Sequence, residues 1–421
     1  MIRKIGRSLA QTVVIAGITL ACLEFVASFY APPWPMRMLR PVMVPPSPLQ
    51  AGPVTETAEA IYINRWGMRD RERTLDRPAD VRFRAILIGD SLLEGGFVRA
   101  PLSRFIEEEW ARAGRPGMEA INLGIQATGP NHYHYRIKRV ALGAKPDAIV
   151  VMFGAGNDFL YERYGARAVP PFVAELPLPS ILGSVAPNLT LLAIDRLRIS
   201  EVSSNNKPVP DEINILNGLV ERPRTERLDG LARHLREHRF PDLGVATIRD
   251  VLARGSEEFW SSFGTSPNRQ LLQAWLLTGM ISWETGTNPT PMNAAEADKS
   301  PDLPTVVEAT FSWLAASRRL VEEAGIPFLV VIAPTATVDP KFVEFWRPWP
   351  RMFSFNHQQD ARARRLTPLL RQNGFNVVDL RDDLNGMAGT FRLTDSHWNE
   401  RGHEIVAARL ARELVRLQKS K

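Results

Sequence analysis

Short apolar runs alternate with longer amphipathic stretches in two separate parts of this chain. Phe83-Arg84-Ala85-Ile86-Leu87-Ile88 reads as a buried strand, and the stretch from Arg99 to Ala113 as a helix ending near Gly114. A strand at Ala120-Ile121-Asn122-Leu123, a helix from Asn131 to Leu142 and a strand at 148–153 continue the alternation. It resumes late in the chain. There the pattern predicts a helix over 305–323, a strand over 328–332, a helix over 360–371, a strand over 376–380 and a closing helix over 400–417. Strands that alternate with helices predict a parallel, doubly wound α/β sheet.

Residues 161–303 carry no strong strand signal but hold amphipathic pieces such as Leu228 to His238 and Leu271 to Trp283. We read them as a mostly helical insertion into one α/β domain, with a separate domain as the alternative. Residues 32–80 are rich in Pro and polar side chains, which suits a tether. The division expected is therefore a tail at 1–7, an anchor at 8–31, the tether at 32–80, and a core at 81–160 and 304–421 split by the insertion.

The segment 8–31 is interrupted only by Gln11, Glu24 and small hydroxyl residues, and Pro32-Pro33 ends it. It is long enough for a transmembrane helix across ~30 Å of hydrocarbon and longer than the ~7–15 apolar residues of a cleaved signal. Arg3, Lys4 and Arg7 before it favour an inside N-terminus. A bacterial inner-membrane protein with its catalytic domain in the periplasm or cell exterior is the expectation. The single cysteine, Cys22, lies in this segment, so no disulfide forms within the rest and no zinc–cysteine site is expected. The net charge of +6 is spread over amphipathic stretches, so nucleic acid is not implied as a partner.

Ligands of open parallel sheets bind beyond the carboxyl ends of the strands. Gly89-Asp90-Ser91, Gly124 and Gly156-Asn157-Asp158 each follow a predicted strand, and Asp395-Ser396-His397 precedes the last helix. A serine hydroxyl needs a base to take its proton and a carboxylate to orient that base; Ser91, His397 and Asp395 supply these roles. The backbone N–H groups of Ser91 and Gly124 with the Asn157 amide would serve as the oxyanion hole. No cofactor or metal is called for. Each piece alone also has an ordinary reading as a turn, a strand exit or a helix cap.

This order of Gly-Asp-Ser, Gly, Asn-Asp and a late Asp and His resembles the SGNH/GDSL hydrolase superfamily over Arg82 to Leu160 and Pro304 to Leu417. The resemblance implies a flavodoxin-like sheet and serine ester hydrolysis. Asn64-Arg65-Trp66-Gly67-Met68-Arg69-Asp70 and the N-terminal segment resemble membrane-tethered bacterial members. Two positions depart from the common pattern: Ala155 stands where Gly opens the third block, and Thr394 where Asp usually precedes His by three. Asp395, two before His397, pairs with it only from an extended segment. Asp-x-His-Trp resembles SGNH-like proteins that O-acetylate exopolysaccharides.

The readings that follow are hydrolysis of an acetyl or short acyl ester on a cell-envelope glycan, acyl transfer to a sugar, or non-catalytic glycan binding. His132 and His134 are placed to line substrate or to pack, and His403 to pack. Phe342, Phe345, Trp346 and Trp349 could form a sugar or acyl platform, a lid or an interface patch.

Overall fold

The computed structural model describes residues 2–27, 42–44, 61–64, 66, 68–95, 98–125, 128–159, 186, 189, 192, 212–265, 269–286, 299, 303–393 and 395–419. They fall into two compact units: Met1–Val44, Ile61–Arg73 and Ala166–Lys207 in one, the remainder in the other. In the smaller unit a helix α1 spans Ile2–Ala27, and β1 (Val42–Val44) pairs antiparallel with β2 (Ile61–Ile63). Asn64 then organises the turn that follows: its Oδ1 accepts from Trp66 and Met68 N–H at 3.0 Å each, and its amide donates to Arg71 O at 3.0 Å. Asp70 holds the buried Arg73 guanidinium at 2.8 Å. The transmembrane helix expected over 8–31 needs correcting in part. A helix does lie there, but among the described residues no helix is long and apolar enough to cross a membrane.

The larger unit opens with β3 (Phe83–Gly89), α2 (Ser91–Glu94), α3 (Leu102–Arg112), β4 (Met118–Gly124), α4 (Pro130–Arg136) and β5 (Ala148–Gly154). Five helices follow: α5 (Glu212–Val220), α6 (Arg224–His238), α7 (Val245–Ala253), α8 (Glu257–Thr265) and α9 (Arg269–Glu284). The α/β pattern resumes with α10 (Leu303–Glu323), β6 (Phe328–Ala333), α11 (Pro340–Trp346), α12 (Phe353–Gln372), β7 (Asn376–Asp379) and α13 (Arg381–Leu384). A short hairpin of β8 (Phe391–Arg392) and β9 (Asp395–Trp398) leads into the last helix, α14 (Glu400–Lys419).

β3 to β7 form one parallel sheet in the order β4-β3-β5-β6-β7, the 2-1-3-4-5 order of flavodoxin-like sheets. β3, β5 and β6 are buried along their whole length, which is why they read as nearly continuous apolar runs. Phe83, Ala85 and Leu87 share a core with Leu102 and Phe105 of α3 and with Val406 and Leu410 of α14. Ile86 and Ile88, on the opposite face by strand alternation, are equally buried. The chain runs from β3 to β4 on one side and then crosses to β5 on the other. Ligands of such sheets bind at that reversal, beyond the carboxyl ends of β3 and β5, and Ser91 and Asn157 follow those two strands.

At the amino ends of β3 and β4 the buried Arg84 pairs with Glu119 at 2.7 Å and donates to the backbone carbonyls of Thr74, Leu75, Asp76 and Ala144. This carries no chemistry; it is how a cation at the second position of β3 is accommodated inside the fold.

Candidate active site

Asp90 caps the four-residue helix α2: its Oδ1 accepts the Leu92 N–H at 3.0 Å, and Ser91 becomes the first helical residue. The Ser91 side chain is directed at the late hairpin, where its Oγ lies 2.7 Å from His397 Nε2, across 306 residues of sequence. This is the nucleophile-to-base distance that serine activation requires. Asp395 lies on extended β9, as pairing with His397 demands; its side chain, like Thr394, is outside the described residues.

The hairpin carrying His397 is held from outside. Asp339, at the N-cap of α11, is fully buried and accepts N–H groups from Lys341 (2.8 Å), Gly389 (2.9 Å), Thr390 (2.8 Å) and Phe391 (3.0 Å). Burial alone would raise this carboxyl, but the backbone donors outweigh it and hold it below the ordinary range. Trp346 Nε1 donates to Leu393 O at 2.7 Å, and the Asn399 amide to Gly389 O at 3.0 Å. Asp339-Pro340 is a helix-start signal legible in sequence. Its second role, as a clasp on a loop fifty residues later, is not.

Behind Ser91 lies a buried polar network. Asp158 Oδ2 accepts the Gly154 N–H and the Tyr133 hydroxyl, each at 2.8 Å. Arg136 donates to Gly89 O at 3.0 Å, to Leu123 O and to Thr128 Oγ1 at 2.6 Å, and so ties together the carboxyl ends of β3 and β4. Burial pushes Arg136 down to about 10 despite the nearby Tyr133, Asp158 and Asp90. Burial also raises Asp90, although the Leu92 N–H, His397 and the Asn157 amide oppose it. It raises Asp158 well above the ordinary value, with Asp90 adding to the rise. Burial and mutual repulsion both favour the neutral form of Asp158.

The expected oxyanion donors are placed differently from one another. The Gly124 N–H is engaged by Asn122 Oδ1 at 2.8 Å. Gly124 also has a steric role, since a Cβ there would meet Glu94 N at 2.6 Å. Asn157 follows β5, with its amide close to Asp90. Gly154, not Ala155, is the glycine this loop needs: a Cβ on Gly154 would press on Asp90 Oδ2 at 3.0 Å and Asn157 Oδ1 at 3.2 Å.

His132 is buried, accepts the Gly129 N–H at 3.2 Å, and is driven down to about 3 by burial and by Arg136. His134 packs on Trp313, with its Nδ1 3.3 Å from Ser317 Oγ. Both therefore pack. The aromatic group is also internal. Phe342, Trp346 and Trp349 are buried, Trp349 stacks on Phe259 of α8 with centroids 4.4 Å apart, and its Nε1 donates to Val251 O of α7 at 2.9 Å. It seams the inserted helices to α11, so the sugar platform is corrected to a core contact. Among the described residues no group of three or more His, Cys, Asp or Glu converges as a metal site.

No protein-family model matches the chain. No curated protein matches it. Solved structures similar to it include a GDSL-like lipase from Bacteroides thetaiotaomicron, 10% identical with a TM-score of 0.34, over 79% of this chain and 88% of that one. A lipase/acylhydrolase from Enterococcus faecalis is 10% identical with a TM-score of 0.31, over 79% and 95%. An α/β hydrolase enzyme from the metagenome of Lake Arreo is 11% identical with a TM-score of 0.33, over 80% and 97%. Similarity this distant assigns neither activity nor substrate to the present chain.

Proposed function

We propose that this protein is a serine ester hydrolase that removes an acetyl or short acyl group from a cell-envelope glycan. The observation that carries the reading is the 2.7 Å approach of Ser91 Oγ to His397 Nε2 at the carboxyl edge of the sheet. In the first half-reaction Oγ attacks the ester carbonyl as its proton passes to Nε2. Asp395 orients the ring, and the Ser91 N–H and Asn157 amide receive the oxyanion. Collapse breaks the ester C–O bond, and the leaving alkoxide takes the proton from His397. Water then attacks the acyl-serine and gives a proton to the same nitrogen; collapse breaks the acyl–Oγ bond, Ser91 Oγ takes that proton back from His397, and the acid is released.

Hydrolysis is preferred to acyl transfer because a transferase needs a groove that seats a sugar and displaces water. The aromatic residues that would have built such a groove, Trp346 and Trp349, are interior. Trp398 of the Asp-Ser-His-Trp segment is likewise buried, against Phe391 and His403.

Attachment of α1 to a bacterial membrane surface through its apolar side chains belongs to the same proposal. Val14, Ile15, Ile18, Leu23, Phe25 and Val26 are each 50–64% exposed, and Arg3, Lys4 and Arg7 precede them, a combination that suits a helix lying at a lipid surface. Glu24, the acidic residue of this helix, has a partner in the Leu189 N–H at 2.9 Å.

The test is product partitioning on an O-acetylated oligosaccharide with the full-length protein in detergent. Free acetate as the main product supports hydrolysis. Acetylated acceptor as the main product at millimolar added sugar makes the protein a transferase.

A further inference from the structure

His403 is 1% exposed and lies in the first turn of α14, between Phe105 at 5.6 Å and Trp398 at 5.7 Å between ring centroids. Both of its ring nitrogens face backbone carbonyls. Nε2 is 3.2 Å from Leu92 O, and Nδ1 is 3.0 Å from Asn399 O. Leu92 is the residue after Ser91, and Asn399 is the second residue after His397. One imidazole therefore spans from the helix of the nucleophile to the segment of its base.

The Leu92 carbonyl is buried in a helix of four residues, too short to satisfy its own last carbonyls from within. A donor from another element is what holds such a group in place. The Asn399 carbonyl has a second partner already, the His403 N–H at 3.0 Å, as an ordinary helical bond. The contact that matters for the site is therefore the one from Nε2.

We propose that His403 is a positioning residue, donating from Nε2 to the Leu92 carbonyl and so fixing α2 at the distance from β9 at which Ser91 meets His397. This rests on the ester hydrolase reading. A displacement of ~1 Å between reacting groups is enough to cost about a hundredfold in rate.

The experiment compares three variants of the full-length protein. His403→Gln keeps a donor near the Nε2 position, His403→Asn keeps one near Nδ1, and His403→Phe keeps the ring and neither donor. Turnover of p-nitrophenyl acetate and the rate of Ser91 labelling by a fluorophosphonate are read on each, beside thermal melting. The expected result is a loss in kcat of about 10- to 100-fold, at a KM within about twofold, for the Phe and Asn variants, with His403→Gln restored to within about threefold of wild type. Labelling of Ser91 should slow in parallel.

Equal activity of the Gln and Asn variants, or an unaltered kcat in folded His403→Phe, would overturn the role, as would failure of all three to fold. If only the Phe variant fails to fold, the Gln and Asn pair decides. A wild-type protein that neither turns over the ester nor labels would instead overturn the hydrolase reading, and this role with it.

Discussion

A methyl group on Gly124 would stand 2.6 Å from the backbone nitrogen of Glu94. The end of β4 and the helix that begins at Ser91 are thus packed at a distance that only glycine allows, and backbone cannot swing aside as a long side chain can. Gly124→Ala should push α2 away from its place, lower turnover by about 10- to 100-fold and cost ~1–3 kcal/mol of stability. Paired thermal melts and ester kinetics check this. Wild-type kinetics in the variant would mean that α2 tolerates the shift.

The Asp339 carboxyl is held below its ordinary value in the folded protein. A depressed carboxylate contributes stability that is fully present above the unfolded value near 3.8 and is lost as pH falls through the folded value. Asp339→Asn turns an amide N–H₂ toward backbone donors, so it should melt lower at pH 7 and loosen the hairpin that carries His397. The gap in Tm between variant and wild type should narrow as pH falls below about 4. A gap that stays constant from pH 7 to 2 would show that charge at Asp339 is not what clasps the loop.

Asp158 has the opposite sign. Its folded value is raised, so the native state keeps a proton that the unfolded chain gives up, and stability falls as pH rises from about 4 toward the folded value. Asp158→Asn keeps a carbonyl oxygen for the Gly154 N–H and the Tyr133 hydroxyl and removes that loss. The variant should therefore gain in Tm relative to wild type between pH 4 and 7. A variant that falls further behind as pH rises would mean that Asp158 is held as a carboxylate.

Trp349→Ala tests the seam between the inserted helices and α11. Removing a fully buried Trp should cost ~3–5 kcal/mol, lowering Tm by several degrees, while KM for a small ester stays within about twofold. A selective rise in KM for a glycan ester with little change in melting would restore the platform reading.

These residues mark where the sequence was readable and where it was not. Strand and helix periodicity placed β3 to β7, because strands buried on both faces print long apolar runs. Ser91 and His397 were legible as motif residues, and the extended backbone at Asp395 was required by its spacing to His397. The functions of Asp339, Arg136 and His403 were not legible, since each is defined by carbonyls or N–H groups far away in the chain. Phe342, Trp346 and Trp349 show the same limit: spacing names an aromatic cluster, and only packing decides whether it faces a ligand or Phe259. The β8–β9 hairpin escaped notice because two- and four-residue strands carry too little alternation to register.

Activation of Ser91 by His397 can be read from fluorophosphonate labelling of the full-length protein, with the modified residue located by peptide mass spectrometry and the rate compared in His397→Gln. The expected result is a single label on Ser91, none on Ser91→Ala, and a rate at least about a thousandfold slower in folded His397→Gln. Labelling of Ser91 at an undiminished rate without the His397 imidazole, or on another residue in Ser91→Ala, would contradict it.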